Sequence, residues 1–304
     1  MKQGKGFVKA FAVVFAAVMT LGMAACGGSQ SPGETAAPET EAASESAAAS
    51  EEEADTTIQV FIAASLSNVM EDVKDKFQET HPNVEIIYTA DSSGTLKEQI
   101  LNGFSCDIFF SAAQKQMNEL EEKGFLVEGS RANVVNNQLV VITYKDSGTQ
   151  VTGLQDLDKA ASIALADGSV PVGRYTRLAL ISLGILPDDK EAADITTQEV
   201  SDALGGVTIS EQGNVSKVLL AVAEHSCEVG TTYYSDTYGH EDDVEILETV
   251  SYDVSGNIIY PVAQIVNEEA DEAETAAARE FTDFITSEEA KLIFDSYYFD
   301  TNVE

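Results

Sequence analysis

The sequence predicts an α/β fold, because strand-like and helix-like segments alternate along residues 56–304. Short apolar runs of strand length, such as residues 162–166, are followed by segments with apolar residues at helical spacing. Two such units, residues 58–77 and 84–101, follow each other directly, and each has a serine where its strand ends. The alternation indicates mostly parallel sheets, and the 249 residues from 56 to 304 suffice for two modest cores or one large one.

Ser65 and Ser93 follow the first two predicted strands, at the points where the predicted helices begin. Parallel neighbouring strands end at the same sheet edge, and open α/β sheets bind ligands at that edge. A helix start also attracts anions, because its first N–H groups lack internal acceptors and the dipole is positive there. Serine before a helix is equally a common N-cap, so helix capping is the alternative role for both residues.

The rest of the chain continues the alternation. Predicted strands occupy residues 107–111, 138–143, 162–166, 230–234 and 258–266. Predicted helices occupy residues 114–123, 154–157, 174–183, 215–225 and, as a closing pair, 276–299. Turns are predicted at residues 168–173, which contain Gly and Pro, and at the polar residues 211–214.

Residues 1–25 have the charge layout of an export signal. Lys2, Lys5 and Lys9 precede an almost wholly apolar stretch that is short for a membrane-spanning helix. The sequence MAACG around Cys26 resembles the lipobox of bacterial lipoproteins, which implies cleavage before Cys26 and lipidation of that residue. An ordinary signal peptide with an incidental cysteine is the alternative.

Residues 26–55 are predicted to form a disordered, acidic tether. They are rich in Ala, Ser and Glu and contain no aromatic or large aliphatic residue, so they cannot bury enough apolar surface to offset the entropy of ordering. A flexible coil of this length reaches roughly 30 Å. A helical spacer would change the reach but not the role.

The charge of the folded part excludes several classes of partner. Of the 17 basic and 52 acidic residues, 3 and 8 lie in residues 1–55, which leaves residues 56–304 with a net charge of −30. This charge argues against nucleic acid as a ligand and against electrostatic adhesion to an anionic membrane surface. An anionic ligand would therefore have to be held by local dipoles, against the overall field of the protein.

The sequence contains no motif of metal binding, cofactor binding or nucleophilic catalysis, which predicts that the protein is not an enzyme. CxxC, HExxH, GxSxG, P-loop and GxGxxG patterns are all missing. The histidines His81, His225 and His240 are predicted to lie at the surface. Cys106 and Cys227 are predicted to be separate buried thiols, with a disulfide as the alternative.

Seven short segments together carry a resemblance to a known family. They are AASL at 63–66, SSGTLKEQI at 92–100, DIFFSAAQKQM at 107–117, NQLVVI at 137–142, VPVGRYT at 170–176, GTTYYSD at 230–236 and YPVA at 260–263. In order and spacing they resemble the periplasmic molybdate-binding proteins of ABC importers, over nearly all of residues 56–304. Each segment is weak evidence alone, but seven in register are specific.

The resemblance implies a two-lobed, type II periplasmic-binding-protein fold with a ligand cleft between the lobes. One lobe would comprise residues 56–137 and 258–304, and the other residues 138–257. The implied protein is a monomeric receptor outside the cytoplasm, tethered to the cell membrane through Cys26. It would capture molybdate, without direct protein ligands to molybdenum, and deliver the ion to an ABC permease.

The resemblance also implies the residues that hold the oxyanion. The hydroxyl and N–H groups of Ser65 and the hydroxyl of Ser93 would donate from one lobe. The N–H groups of Val172 and Val215 and the phenol of Tyr233 would donate from the other lobe. All of these donors are neutral.

Some assignments stay open at the level of sequence. Tyr234 is the alternative to Tyr233, since a shift of one position would exchange them. Asp91 and Asp236 are the nearest acids in sequence, and both are expected to lie outside the shell of the anion. No acceptor is therefore expected for a proton on the bound ion.

Three basic residues follow the predicted helix starts, and other functions compete with the receptor. Arg174, Arg177 and Lys217 are expected on solvated helix faces, with weak steering of the anion as the alternative. Within the same class, the alternative is a receptor that prefers tungstate or sulfate. From other classes, the alternatives are a serine hydrolase using Ser65 or Ser93 and a surface adhesion module.

Overall fold

The computed structural model describes residues 55–303, and these residues form two β-sheets flanked by helices. The strands are β1 (Thr56–Ala63), β2 (Val84–Asp91), β3 (Ile108–Phe110), β4 (Ala132–Asn137), β5 (Leu139–Tyr144), β6 (Ser162–Ala166), β7 (Thr208–Gln212), β8 (Val229–Tyr233), β9 (Val244–Thr249) and β10 (Ile258–Gln264). The helices are α1 (Ser67–Gln78), α2 (Ser93–Leu101), α3 (Gln114–Glu122), α4 (Pro171–Ser182), α5 (Thr197–Ala203), α6 (Val215–Ala223), α7 (Tyr252–Ser255), α8 (Glu272–Ile285) and α9 (Glu288–Ser296). Short 3-10 helices span Ala64–Leu66, Leu154–Lys159, Ala192–Asp194 and Tyr234–Thr237.

The predicted export signal, the lipidated Cys26 and the tether up to residue 54 lie outside the described residues. Within residues 55–303, no helix is both long enough and apolar enough to span a membrane.

The first sheet has the strand order β2-β1-β3-β10-β4. β1 pairs in parallel with β2 and β3, whereas β10 runs antiparallel to β3 and β4. Alternation along β1 sends Val60 and Ile62 into one buried cluster and Phe61 into another, so both faces of this strand are covered. Helices α1 and α8 pack near one face, and α2 and α3 pack near the other.

The second sheet has the order β7-β6-β8-β5-β9, with α4 and α6 packed against it. β6 is parallel to β7 and β8, whereas β5 is antiparallel to β8 and β9. The α/β class is therefore confirmed. The expectation of mostly parallel sheets holds for strand direction, since four of the five strands in each sheet run the same way, but only two of the four strand pairs in each sheet are parallel. Both sheets are mixed, because β5 and β10 enter their sheets from the other sheet and not through a strand–helix–strand crossover.

The two lobes, each defined here as one sheet with its helices, are joined by two neighbouring crossings of the chain. The first crossing lies between β4 and β5, and the second runs from β9 through α7 to β10. Asn136 ties them together, because its side-chain oxygen accepts the N–H of Ile258 at 2.8 Å and its Nδ2 donates to Asn257 Oδ1 at 3.3 Å. Gln138 adds a bond from its Nε2 to the carbonyl of Val250, at 2.9 Å.

Several elements differ from the sequence-based expectation. The polar strands β4, β7 and β9 and the short helix α5 were not predicted, since they lack a clear apolar period. α5 does carry a recognisable start signal, a capping box between Thr196 and Glu199. α4 begins at Pro171 and not at Arg174, because proline is well accommodated at the first helical position.

Arg177 was expected on a solvated helix face, and that expectation is wrong. Its side chain is fully buried, and its guanidinium donates to the carbonyls of Ala166 and Gly173, both at 2.9 Å. Further bonds reach the carbonyl of Ile195 at 2.7 Å and the hydroxyl of Thr197 at 3.2 Å. A buried guanidinium needs such acceptors, and here they fasten the first turn of α4 to the end of β6.

The two remaining cysteines are separate, as the sequence favoured. Cys106 lies in the first lobe and Cys227 in the second, and both are buried free thiols. Burial raises the pKa of each thiol, so both stay protonated and unreactive.

Candidate functional site: a cavity between the two lobes

A small cavity lies between the two lobes and offers about 10 Å³ to the centre of a water-sized sphere. The first lobe lines it with Ala63, Ala64, Ser65, Ser92, Ser93 and Ala112, and the second lobe lines it with Val170, Pro171, Val172, Val215 and Tyr233. All five residues that the resemblance implied therefore lie around a single cavity. This volume is far below the roughly 300–1,000 Å³ of pockets for drug-sized ligands, so the cavity can take only a small ligand.

The pairing of β1 with β2 places the two serines at this cavity. The last residues of these parallel strands, Ala63 and Asp91, are partners in the register, so Ser65 and Ser93 both lie two residues beyond the same sheet edge. Neither hydroxyl caps a helix. Ser92 caps α2, accepting the N–H of Thr95 at 3.1 Å, and no side chain caps α1 or the 3-10 helix before it. Capping, the alternative role for Ser65 and Ser93, is therefore wrong.

Helices α4 and α6 bring backbone donors from the second lobe. Val172 is the second residue of α4 and Val215 is the first residue of α6, so neither N–H has an acceptor within its helix. The first turn of α4 lies so close to β6 that a Cβ at Gly173 would be 2.1 Å from the carbonyl oxygen of Asp167. Only glycine permits this approach, which explains the VPVG sequence physically.

Tyr233 contributes a phenol that has no hydrogen-bond partner in the part of the chain that the structure describes. The residue ends β8 and is 1% exposed, and its hydroxyl is buried without a hydrogen bond. Burial raises its pKa well above the ordinary value, so the group stays a donor. Tyr234, the alternative, is 36% exposed and packs its ring on Tyr298, with 5.2 Å between the ring centroids.

Both serine hydroxyls also have hydrogen-bond partners within the first lobe. Ser65 Oγ lies 2.8 Å from the hydroxyl of Tyr260, and Ser93 Oγ accepts the N–H of Ala112 at 2.9 Å. Neither serine contacts a histidine, so neither has the general base that a serine nucleophile needs. The contact of Tyr260 with Ser65 was not predicted from the sequence. A polar phenol among the apolar residues of β10 is the feature of the sequence that could have indicated it.

Charged side chains stay outside the lining of the cavity. Lys217 is exposed, and Arg174 is partly exposed with its guanidinium 5.7 Å from the ring centroid of Tyr175. The expected solvated position thus holds for Lys217 and in part for Arg174. The donors that converge on the cavity are hydroxyl and N–H groups, which suits an anion whose oxygens only accept hydrogen bonds.

Hydrogen bonds between the lobes close the structure around the cavity. Asn214 caps α6 through its side-chain oxygen, and its Nδ2 donates to Asp91 Oδ1 on the first lobe at 3.2 Å. Ser216 donates to the carbonyl of Ala64 at 3.4 Å. Asp91 thus takes part in closure and does not line the cavity.

Asp236 also lies outside the lining, but it supports Tyr233. Its Oδ2 accepts the hydroxyl of Thr232 at 2.8 Å and the backbone N–H of Tyr233 at 3.0 Å. Burial raises the pKa of this carboxyl to about 6, in spite of these two bonds.

A two-lobed α/β architecture with a small-ligand cavity in the cleft defines the type II class of periplasmic binding proteins, as the sequence predicted. The chain belongs to the family of bacterial extracellular solute-binding proteins, whose model matches residues 58–300. This family consists of binding proteins, which confirms the expectation that the chain is not an enzyme.

Three known proteins place the chain within this family more closely. The molybdate-binding protein ModA of Escherichia coli (strain K12) is 29% identical over 252 residues, covering 80% of this chain and 88% of the relative. YvgL of Bacillus subtilis (strain 168), provisionally described as an ABC transporter substrate-binding lipoprotein, is 27% identical over 248 residues, covering 81% and 87%. The solved substrate-binding domain of a provisionally assigned molybdenum ABC transporter from Clostridium difficile is 30% identical, with a TM-score of 0.59, and covers 82% of this chain and 100% of that domain.

The raised pKa of Asp236 predicts a pH-dependent difference in stability between the protein and Asp236→Asn. The folded pKa of about 6 exceeds the ordinary 3.8, so the stability that the protonated carboxyl provides is complete below pH 3.8 and lost as the pH rises to about 6. The variant mimics the protonated form at every pH. The quantity to compare is the free energy of unfolding of the variant minus that of the parent. This difference should be about 3 kcal/mol larger at pH 7 than at pH 3.8.

Urea unfolding of both proteins across this range measures the difference. Effects of pH on the rest of the chain are common to both proteins and cancel. A difference that stays constant with pH would contradict the assignment of the titration to Asp236.

Proposed function

We propose that this protein captures molybdate, MoO4²⁻, in the cavity between its lobes and delivers it to the permease of an ABC importer. The observation that carries the proposal is the hydroxyl of Tyr233, which is fully buried at the cavity and has no acceptor among residues 55–303. Buried hydroxyls in folded proteins nearly always have a partner. A bound oxyanion supplies the acceptor that this hydroxyl lacks.

The other donors complete a shell for a tetrahedral dianion. Ser65 and Ser93 offer hydroxyl protons from one lobe, and Val172 and Val215 offer N–H groups from the other lobe. The starts of α2, α4 and α6 add the positive ends of their dipoles. The ion can thus be held without a buried cation, whose desolvation would be costly.

The relatives support the choice of ion and the mode of attachment. The Escherichia coli relative is named for molybdate, and the Clostridium difficile domain is assigned to a molybdenum ABC transporter. The Bacillus subtilis relative is described as a lipoprotein. Its description agrees with the lipobox around Cys26, which supports a lipid anchor outside the cytoplasm and a tether of residues 26–55.

Delivery to a permease follows from closure of the lobes. Donors from both lobes converge on the ion, so binding stabilises the closed form relative to an open one. A permease that recognises the closed form selects the loaded receptor. A monomer suffices for this cycle, because one chain supplies all of the proposed donors.

Selectivity among oxyanions tests the proposal directly. Molybdate and tungstate should bind far more tightly than phosphate, which keeps a proton near neutral pH and would bury that O–H against donors, at a cost of about 1–3 kcal/mol. Sulfate lacks that penalty but is smaller, so it should bind more weakly than molybdate. Isothermal titration with the four ions measures the order. Tightest binding of sulfate would establish the sulfate receptor instead, and phosphate binding as tightly as tungstate would contradict a cavity of donors alone.

Tyr233→Phe separates a ligand contact from a structural contact. The variant should lose about 1.5–3 kcal/mol of molybdate binding, which is the value of a hydrogen bond to a charged group. Its free energy of unfolding without ligand should not fall, because the lost hydroxyl has no partner among the described residues.

Tyr234→Phe is the matched control and should bind molybdate like the parent, since Tyr234 lies outside the lining of the cavity. Titration calorimetry and thermal unfolding of both variants give the result. Loss of affinity in Tyr234→Phe alone would mean that the tyrosine assignment is shifted by one residue.

Gly94→Ala tests whether closure is needed for tight binding. A Cβ at Gly94, in the first turn of α2, would lie 2.9 Å from the carbonyl oxygen of Ser169 on the other lobe. The extra methyl group should hold the lobes apart and weaken molybdate binding by about 1–3 kcal/mol, the usual cost of overpacking. Without ligand, the variant should be as stable as the parent.

Gly213→Ala is the control, because its Cβ would find no atom nearer than Lys217 Nζ at 3.8 Å. Its affinity for molybdate should match that of the parent. If Gly94→Ala binds molybdate as tightly as the parent, this contact between the lobes is not part of the bound state.

A further inference from the structure

A chain of hydrogen bonds runs from the crossing between the lobes to the cavity. Asn137, the last residue of β4, lies 3.2 Å from the hydroxyl of Tyr260 through its Nδ2, and that hydroxyl lies 2.8 Å from Ser65 Oγ. All three side chains are buried, so the bonds cannot readily be exchanged for bonds to water. The direction of each bond follows from the number of protons that each group carries.

The direction at the start of the chain is set by the backbone. Asn137 Oδ1 accepts the N–H of Gln138 at 2.8 Å, and the N–H of Ser235 points at the same oxygen from 3.5 Å. These two donors fix which end of the amide is oxygen, so Nδ2 must face the other way. It donates to the hydroxyl of Tyr260 and to Ser235 Oγ at 2.7 Å.

The direction at Tyr260 follows from that at Asn137. The phenol carries one proton, and the Asn137 amide can only donate to it, so the proton must go to Ser65 Oγ. Burial keeps the phenol protonated, since it raises the pKa of Tyr260 well above the ordinary value. Ser65 thus accepts on its inner side, and its own proton is left to point into the cavity that it lines.

We propose that Tyr260, oriented by Asn137, is a positioning residue that makes Ser65 an obligatory donor to the bound ion. This inference rests on the proposed function as an oxyanion receptor. It assigns part of the selectivity of the receptor to Tyr260 and Asn137. An ion without protons satisfies the Ser65 hydroxyl. An ion that carries a proton meets a hydroxyl whose own proton already points into the cavity, and this hydroxyl can accept the proton of the ion only by turning its own proton away from the ion. The preference for fully deprotonated oxyanions is therefore set partly at the crossing between the lobes, behind the residues that line the cavity.

Asn137→Asp tests the direction of the chain, because a carboxylate accepts where the amide donates. Tyr260 would then donate to the introduced carboxylate and Ser65 would donate to Tyr260, so that Ser65 Oγ faces the cavity as an acceptor. Molybdate and hydrogen phosphate are both dianions at about pH 8, so the added charge should weaken both alike. The ratio of their dissociation constants isolates the reversal of the hydrogen bonds. We expect the preference for molybdate to fall by at least about tenfold.

Tyr260→Phe provides a second test that adds no charge. Ser65 loses its inner donor and becomes free to accept a proton, so the preference for molybdate over hydrogen phosphate should fall by about threefold or more. Tyr88→Phe is the matched control, because it removes another phenol in the same lobe, a half-buried one that donates to the carbonyl of Met70 at 2.8 Å. Its ratio should equal that of the parent.

The titrations distinguish failure of this inference from failure of the proposed function. If the parent does not bind molybdate, the proposed function is wrong. If the parent binds molybdate but the preference is unchanged in Asn137→Asp and Tyr260→Phe, or falls equally in Tyr88→Phe, the positioning role is wrong. Circular dichroism establishes that each variant is folded, and should Asn137→Asp fail to fold, the ratio for Tyr260→Phe decides.

Discussion

The proposed site has to hold a doubly charged ion in a strongly acidic protein without burying a cation beside it. Residues 56–304 carry a net charge of −30, so the overall field repels an anion. A buried lysine or arginine would lose its own hydration on entering the site. Neutral donors at helix starts avoid that loss, because their partial charges are fixed in place and face the ion as soon as the lobes close.

The fold places these donors around the cavity, because the ends of strands and the starts of helices from both lobes meet there. In the first lobe, the parallel pairing of β1 and β2 places Ser65 and Ser93 side by side. In the second lobe, the buried guanidinium of Arg177 and the close approach at Gly173 press the start of α4 onto β6. The guanidinium of Arg177 thus binds backbone carbonyls away from the cavity lining, and the proposed ion would meet neutral groups.

Part of this site was predictable from the sequence, and the limit has a physical origin. The strand–serine–helix pattern was enough to predict Ser65 and Ser93 as residues at the sheet edge, because local periodicity determines where a strand ends. The prediction of Val172 and Tyr233 as site residues required the family resemblance. Almost any residue can supply a backbone N–H, so residue type does not identify such a donor, and a tyrosine has many roles. The burial of Arg177 and the polar strands β4, β7 and β9 were not predicted, because they depend on contacts between segments distant in sequence.

The most direct test of the account is a crystal structure of the protein grown with molybdate, with anomalous diffraction used to locate molybdenum. The account predicts one strong peak in the cavity between the lobes, with the oxygens of the ion within hydrogen-bonding distance of Ser65, Ser93, Tyr233 and the N–H groups of Val172 and Val215. A peak outside this cavity, or an ion held there by a lysine or arginine side chain, would contradict it.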